Sequence, residues 1–418
     1  MSSLIILAWI AGAVILQLLI YLSLSFWRHW LDYQQLRFQG PEVSVLPAQP
    51  EPGGSANPAW SGLRNFRVAR KTLEDASGSV CSVYLTPEDR QPLPPFLPGQ
   101  FLTFRFEMAG PSGSVESVVR CYSLSDAPNP DAYRISVKRA IAPAGTQAPA
   151  GRCSSFVHDQ LAVGQVVQVR APSGHFYLKP GTSPVVLIAG GVGITPMLSM
   201  LNWSLKEEAG REVWLFYGVR HGGELVQKEL LQTLAALHPG FHLRFCFSAP
   251  QPGDMEGPHC CQSRVDVQLL RQELSLKPYH FYLCGPTPML ETLVPALEDW
   301  GVADAHIHFE AFGPASIKRK TTSPEPAALP TQADDIQVTF AKSGKQLVWQ
   351  ASAGNLLDFA EANGISVDSG CRAGGCGSCQ TTILSGQVAY HQVPDHDPEP
   401  GSCLLCVSSP KTSLSLDA

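Results

Sequence analysis

Clustered positive charge is what this sequence lacks. Its 418 residues hold 30 Lys and Arg against 36 Asp and Glu, a net charge of −6, with no basic block beyond Lys318-Arg319-Lys320. A surface that tracks phosphates needs grouped cations, so nucleic acid is not an expected partner. Disulfide density is missing too: 12 Cys are too dilute for a small secreted scaffold and suit a chain whose thiols stay reduced. No internal repeat runs through the chain, which sets aside a stacked-repeat architecture. What is present is 44% hydrophobic residues, ample for packed cores, in a length that suits about three domains.

Charge is absent altogether from Leu4 to Leu24, where only Gly12, Gln17 and Ser23 dilute Leu, Ile, Val, Ala and Trp. This run of 21 residues is long enough to cross a bilayer. Phe26, Trp27, Arg28, His29 and Trp30 follow at once, an aromatic belt with basic residues on the exit side. No basic stretch precedes the run and no small-x-small site follows it, which favours a retained anchor over a cleaved signal peptide or a buried helix. The expectation is a transmembrane anchor over 1–30, single-pass in the inner (cytoplasmic) membrane, with the remaining domains in the cytoplasm. Residues 31–62 then read as a linker, carrying Pro41, Pro47, Pro50, Pro52 and Pro58 with Gly53 and Gly54.

Near the C-terminus, Gly370-Cys371-Arg372-Ala373-Gly374-Gly375-Cys376-Gly377-Ser378-Cys379 has the C-x4-C-x2-C spacing of a plant-type [2Fe–2S] site. Soft, anionic thiolates hold iron, and the glycines let the loop wrap closely and turn N–H groups toward a negative cluster. Structural zinc is the competing reading, but zinc modules present two short C-x2-4-C knuckles and only one is here. Cys403 and Cys406 compete to be the fourth ligand. Cys406 is favoured, because Leu404 to Val407 reads as a strand that presents it from a packed element. A [2Fe–2S] centre implies single-electron transfer.

Four regions follow the anchor and its linker in different patterns. Over 63–180, Val80–Leu85, Gln100–Phe106, Arg134–Val137 and Val166–Val169 are short strand-like runs between turns, as in an antiparallel barrel or sandwich. Over 181–313, Val185–Ala189, Val213–Tyr217, His242–Phe247 and His280–Cys284 alternate with helical stretches at Met197–Leu205, Leu225–Leu237 and Met289–Trp300, as in a parallel α/β sheet. Residues 314–333 are a second linker rich in Pro, Ser and Thr. Over 334–418, strands at Ile336–Phe340 and Gln346–Gln350 and a helix at Asn355–Asn363 are expected before the cysteine loop. His391, Asp395, His396 and Asp397 read as a solvated loop, and His259, Cys260 and Cys261 carry no assignment.

Between the strands lie five motifs. Arg120-Cys121-Tyr122-Ser123 follows Val118-Val119, and Gly151-Arg152-Cys153-Ser154-Ser155 lies about thirty residues on. Gly190-Gly191-Val192-Gly193-Ile194-Thr195-Pro196 joins a buried strand to a helix, with Pro196 near its first position, yet is not a G-x-G-x-x-G fingerprint. Cys284-Gly285-Pro286-Thr287-Pro288-Met289 ends another buried strand, and Phe309-Glu310-Ala311-Phe312-Gly313-Pro314 closes the region. The set resembles the ferredoxin reductase superfamily, in particular its flavin, NAD(P)H and [2Fe–2S] oxygenase reductases.

The resemblance implies a β-barrel flavin domain, an NAD(P)-binding domain and a C-terminal ferredoxin-type β-grasp domain. It implies FAD, with FMN left open, bound by Arg120 at a phosphate, Tyr122 on the ring, Ser123 near the hydride-accepting nitrogen, and Gly151, Ser154 and Ser155 at a phosphate turn. It implies a nicotinamide cofactor at Gly190, Gly191, Gly193, Thr195, Cys284, Gly285, Pro286 and Met289, with Glu310 and Phe312 beside the hydride path. Tyr122, Ser123, Cys284 and Glu310 are the catalytic candidates, and Cys371, Cys376, Cys379 and Cys406 the cluster ligands. Arg220 and Arg264 stand where a 2′-phosphate would be met, with a slight lean to NADH. The implied function is a membrane-anchored reductase feeding a protein acceptor such as an oxygenase, hydroxylase or desaturase. A quinone reductase of respiratory type, or a redox-sensing or assembly protein, are the alternatives.

Overall fold

The computed structural model describes Gln17, residues 59–312 apart from 61, 111–112, 143–148 and 209, and residues 336–418 apart from 368, 373, 375–376, 392–393 and 395–397. The expected anchor over 4–24 (Gln17 apart), most of the first linker, the second linker, Cys376 and the Asp395–Asp397 loop lie outside these residues. Among the described residues no helix is long and apolar enough to cross a membrane.

The first sheet has six antiparallel strands: β1 (Arg64–Leu73), β2 (Val80–Pro87), β3 (Phe101–Ala109), β4 (Val115–Ser123), β5 (Tyr133–Lys138) and β6 (Val166–Ser173). Their order is β4-β3-β6-β1-β2-β5, and a bridge between Leu124 and Ile135 brings the end of β4 to β5, closing the sheet into a barrel. Alternation fills the inside with Val83, Leu85, Leu102, Phe104, Ile135 and Val169, all at most 1% exposed. β1 and β4 escape the sequence pattern for physical reasons. β1 sends only Phe66 and Val68 inward between cations, and a bulge between Val68 and Arg70 breaks its register; β4 is half exposed along most of its length. Helix α1 (Arg152–Asp159) lies against the barrel. Its last carbonyls are capped from β1, where Lys71 Nζ donates to Val157 O, His158 O and Leu161 O at 2.7, 3.0 and 2.8 Å.

The second sheet is wholly parallel, in the order β10-β9-β8-β7-β11-β12. Its strands are β7 (Val185–Gly190), β8 (Val213–Val219), β9 (Phe241–Phe247), β10 (Cys260–Cys261), β11 (His280–Gly285) and β12 (Ile307–Ala311). They are flanked by α2 (Ile194–Glu207), α3 (Lys228–Leu237), α4 (Val267–Glu273) and α5 (Thr287–Asp299). The chain moves outward from β7 to β10, then returns to the other side of β7 with β11. The switch point between β7 and β11 opens a crevice at their carboxyl ends. Cys260 and Cys261, left without assignment in the sequence, form the short edge strand β10.

In the last region β13 (Gln337–Phe340), β14 (Lys345–Val348), β15 (Gln380–Ser385), β17 (Ser402–Leu404) and β19 (Leu414–Leu416) make a sheet ordered β14-β13-β19-β15-β17. β16 (Val388–Tyr390) and β18 (Ser408–Pro410) pair separately. The expected helix is α6 (Leu356–Ala362), whose N-cap Asn355 accepts from Asp358 N at 2.8 Å. One expectation is corrected: the strand ends at Leu404, and Leu405–Val407 is a 3-10 turn, so Cys406 sits on a turn.

Lys71→Met leaves three partly buried carbonyls without their charged donor. Urea unfolding should show a loss of about 2 kcal/mol, whereas Lys71→Arg should lose less.

Candidate functional site

Arg120 and Tyr122 lie on β4 opposite Phe104 and Leu102 of β3. The Tyr122 ring meets Phe104 edge-on at 5.7 Å, and Phe106 links it to Phe156 of α1 at 6.4 and 5.5 Å. Burial raises the Tyr122 phenol well above its usual pKa. Ser123 is buried where the strand enters the barrel. Arg120 is exposed, and its charge acts on both Tyr122 and Cys153 of α1. The structure thus brings the Arg-x-Tyr-Ser strand beside the start of α1. Gly151 is needed there, because a Cβ on it would lie 2.6 Å from Ala140 Cβ. Ser154 differs from expectation: its hydroxyl donates to Gly151 O at 2.9 Å and accepts from Ala140 N at 3.0 Å. Its proton is committed to the turn, so the donors left for an anion are the first-turn amides and the Ser155 hydroxyl.

The crevice at the switch point is built from backbone. A Cβ on Gly193 would stand 2.1 Å from Cys284 O, one on Gly190 2.7 Å from Pro286 Cδ and Met289 Sδ, and one on Gly285 3.0 Å from Gly190 Cα. Gly191 has φ +53°. Only glycine lets these two turns touch and leave a cradle open above them. Thr195 Oγ1 donates to Val192 O at 3.1 Å, locking the turn. Pro196 is the third residue of α2, one of the positions whose amide has no intrahelical acceptor, rather than the first.

β12 places Glu310 opposite Cys284. Cys284 is fully buried, and desolvation with the nearby Glu310 raises its thiol pKa. Glu310 Oε2 is shut away from solvent with no hydrogen-bond partner, and burial pushes the carboxyl up to about 8. An orphaned oxygen at the crevice is what a site awaiting a polar ligand edge presents. Phe312, the last described residue before the linker, is 42% exposed.

One residue that carries no motif reaches this crevice, and another fixes the helix that starts there. Lys138, at the end of β5, brings Nζ to 4.0 Å from the Cβ position of Gly191. Asp126, just past β4, accepts from Ser199 Oγ through its carbonyl and from Asn202 Nδ2 through Oδ1, both at 2.8 Å, pinning α2 to the barrel. The Arg220 guanidinium is held by Glu224, while Arg264 is exposed.

In the last region Cys379 and Cys406 bring their Sγ atoms to 3.1 Å, Cys371 acts electrostatically on Cys406, and the Gly374 amide points at Cys406. Cys403 lies opposite Thr381 on β17, fully buried, bonded by Ser408, its thiol pushed up to about 12 by burial. Cys379 and Cys406 thus face each other with Cys371 near enough to act on Cys406, while Cys403 feels the charge of Cys379 from its buried place on β17. Arg372 holds the loop with φ +55°, bonded to Asp358 at 3.0 Å and Glu361 at 2.5 Å on α6. Gly374, at φ +76°, has room for no Cβ beyond 3.2 Å from Val407.

Residues 187–294 match the oxidoreductase NAD-binding domain family and residues 340–411 the 2Fe-2S iron-sulfur cluster binding domain family. The FAD/NAD-binding domain of a nitric oxide dioxygenase from Vibrio cholerae O1 biovar El Tor is 33% identical, with TM-score 0.52, and the match covers 60% of this chain and 99% of that one. The chain belongs to the ferredoxin reductase superfamily. It is an oxidoreductase with an NAD-binding and a [2Fe–2S]-binding domain. Phthalate dioxygenase reductase, described as a modular structure for electron transfer from pyridine nucleotides to [2Fe–2S], is 27% identical with TM-score 0.50, covering 85% of this chain and 98% of that one. The flavohemoprotein of Halalkalibacterium halodurans is 36% identical over 270 residues, 64% of this chain. This superfamily member spans 63% of that relative's length.

Two outcomes follow for this member. Because the folded state holds the Glu310 proton up to about pH 8 and the unfolded state releases it near 4.5, stability should fall as pH rises through that interval. Thermal melts of Glu310→Gln should lack this fall; an identical pH dependence in both proteins would assign the proton elsewhere. Cys406→Ser should lose most of the visible absorbance of the iron–sulfur centre, and Cys403→Ser should keep it.

Proposed function

We propose that the protein is a membrane-tethered, NADH-preferring electron-transfer reductase that serves a protein acceptor of the oxygenase, hydroxylase or desaturase kind. The observation that carries the reading is the meeting of the two glycine turns beneath the orphaned Glu310 oxygen, in a chain that also gathers cluster thiols. FAD, when bound, would supply the means of accepting one hydride with its electron pair and releasing the electrons singly, and the [2Fe–2S] cluster would carry single electrons. FAD is favoured over FMN by the relative whose domain is named for FAD and NAD.

The chain's own residues have distinct tasks. Arg120, the first-turn amides of α1 and Ser155 hold the flavin's phosphate, while Tyr122 and Ser123 face its ring. Gly190, Gly191, Gly193, Thr195, Gly285, Pro286 and Met289 admit the dinucleotide, and Lys138 neutralises its phosphates. Cys284 and Glu310 line the hydride path with Phe312 beside them. Glu310, neutral below about pH 8, offers a proton at Oε2 and adds no negative charge beside the reacting pair. At the adenosine end, Glu224 already neutralises Arg220, so a 2′-phosphate meets a carboxylate as well as a cation; this supports NADH. Cys371, Cys376, Cys379 and Cys406 hold the cluster.

The uncharged run from Leu4 to Leu24, followed by Arg28, supports a single-pass anchor in the inner membrane with the domains in the cytoplasm. Holding the reductase in the plane of its acceptor raises their effective concentration.

The purified protein, loaded with flavin and iron, should reduce ferricyanide and cytochrome c with NADH, and less efficiently with NADPH. Cys371→Ser should abolish cytochrome c reduction and spare flavin reduction by NADH. Failure of both acceptors in the loaded wild type overturns the reading, and fast quinone reduction without a protein acceptor favours the respiratory alternative. The full chain should sediment with membranes, and a chain starting after residue 62 should not.

A further inference from the structure

The edge of the parallel sheet carries a second pair of thiols, far in sequence from the cluster loop. β10 pairs with β9 so that Cys261 lies opposite Cys246. Neighbouring strands are about 4.8 Å apart, within the roughly 4.4–6.8 Å Cα separation that a disulfide spans. The two Sγ atoms are 3.3 Å apart, and both thiols are free. Their environments differ: Cys246 is 1% exposed, whereas Cys261 is half-buried and open to solvent. Cys246 Sγ within hydrogen-bond reach of Cys261 Sγ, Ser263 Oγ 3.5 Å from Cys261 Sγ and the positive charge of Arg244 together hold the Cys261 thiol below its ordinary range. One sulfur is thus a reachable nucleophile and the other a buried resolving thiol.

We propose that Cys246 and Cys261 form a reversible dithiol–disulfide site, oxidised by low-molecular-weight disulfides, whose closure changes dinucleotide affinity. The Cys261 thiolate attacks a sulfur of the small disulfide, forming a mixed disulfide and expelling one thiolate. Cys246 then attacks Cys261 Sγ, its proton passes to the departing group, and the second small thiol leaves. The protein loses two protons and two electrons, and the small disulfide takes them up to become two thiols.

The link to the crevice runs through the loop between β9 and β10. Ser248 N and Ala249 N donate to Val219 O and Arg220 O at 3.1 and 2.8 Å, and Asp254 Oδ2 accepts from Gly222 N at 2.9 Å. This loop therefore hangs on the carboxyl end of β8, beside Arg220 and Glu224. Closing the bond draws the sulfurs together by about 1.2 Å at the foot of that loop. The affinity change rests on the reading of this end as the adenosine site; the disulfide itself does not.

The test incubates the holoenzyme with oxidised glutathione without oxygen, traps free thiols and maps peptides. The expected result is a Cys246–Cys261 linked peptide with unchanged iron–sulfur absorbance, and a KM for NADH altered at least about fivefold at unaltered kcat. Dithiothreitol should reverse both changes. Cys246→Ser should stop at glutathione on Cys261, and Cys261→Ser should form no linked peptide and show no change in KM. Absence of the linked peptide in the wild type overturns the site. A linked peptide with unchanged KM overturns its coupling to the dinucleotide, and loss of NADH oxidation in the untreated enzyme counts against the reductase reading alone.

Discussion

The contact on which the rest of this molecule depends is backbone against backbone. Gly193 packs on the Cys284 carbonyl and Gly190 on Gly285 so closely that no side chain fits at any of the three glycines. The contact sets β7 and β11 in register at the switch point, starts α2 and α5 from a common level, and leaves the crevice above them lined by amides. Because β12 pairs with β11 in parallel, the same register decides that Glu310 faces Cys284. A carboxyl placed there has no water to ionise into, which is why its proton is held so tightly.

The barrel is attached to this sheet by polar contacts from the turns that flank its own site. Asp126 follows the Arg-x-Tyr-Ser strand at once and grips Ser199 and Asn202 of α2, while Ser77 N donates to Gly223 O and Gln227 N to Glu74 O. Lys138 leaves the barrel and ends over the Gly191 turn. The two binding surfaces thus share a border made of short, directional bonds. Alignment of two redox partners needs such bonds, because apolar packing alone tolerates sliding.

The cysteine loop solves a different problem, the gathering of anionic sulfur in a small volume. Arg372 accepts a left-handed backbone because Asp358 and Glu361 hold its guanidinium to α6, and Gly374 lies flat on Val407. The 3-10 turn at Leu405–Val407 then points Cys406 at Cys379, whereas Cys403, a turn earlier on a strand, points into the core.

Much of this was legible in the chain. The C-x4-C-x2-C spacing, the strand–glycine–helix turns and the short strand-like runs of β2, β3, β5 and β6 are local features. Each reports a requirement met within a few residues: thiolates around one centre, amides free at a helix start, side chains on one face of a pleat. What the tertiary structure decided lies between residues far apart. Cys406 over Cys403 turned on a 3-10 turn that an apolar run cannot announce. Lys138, Asp126 and Arg372 carry no motif, since their partners come from other elements. Glu310 facing Cys284, and Cys261 facing Cys246, follow from parallel register, and sequence cannot state register because it arises from the packing of whole strands.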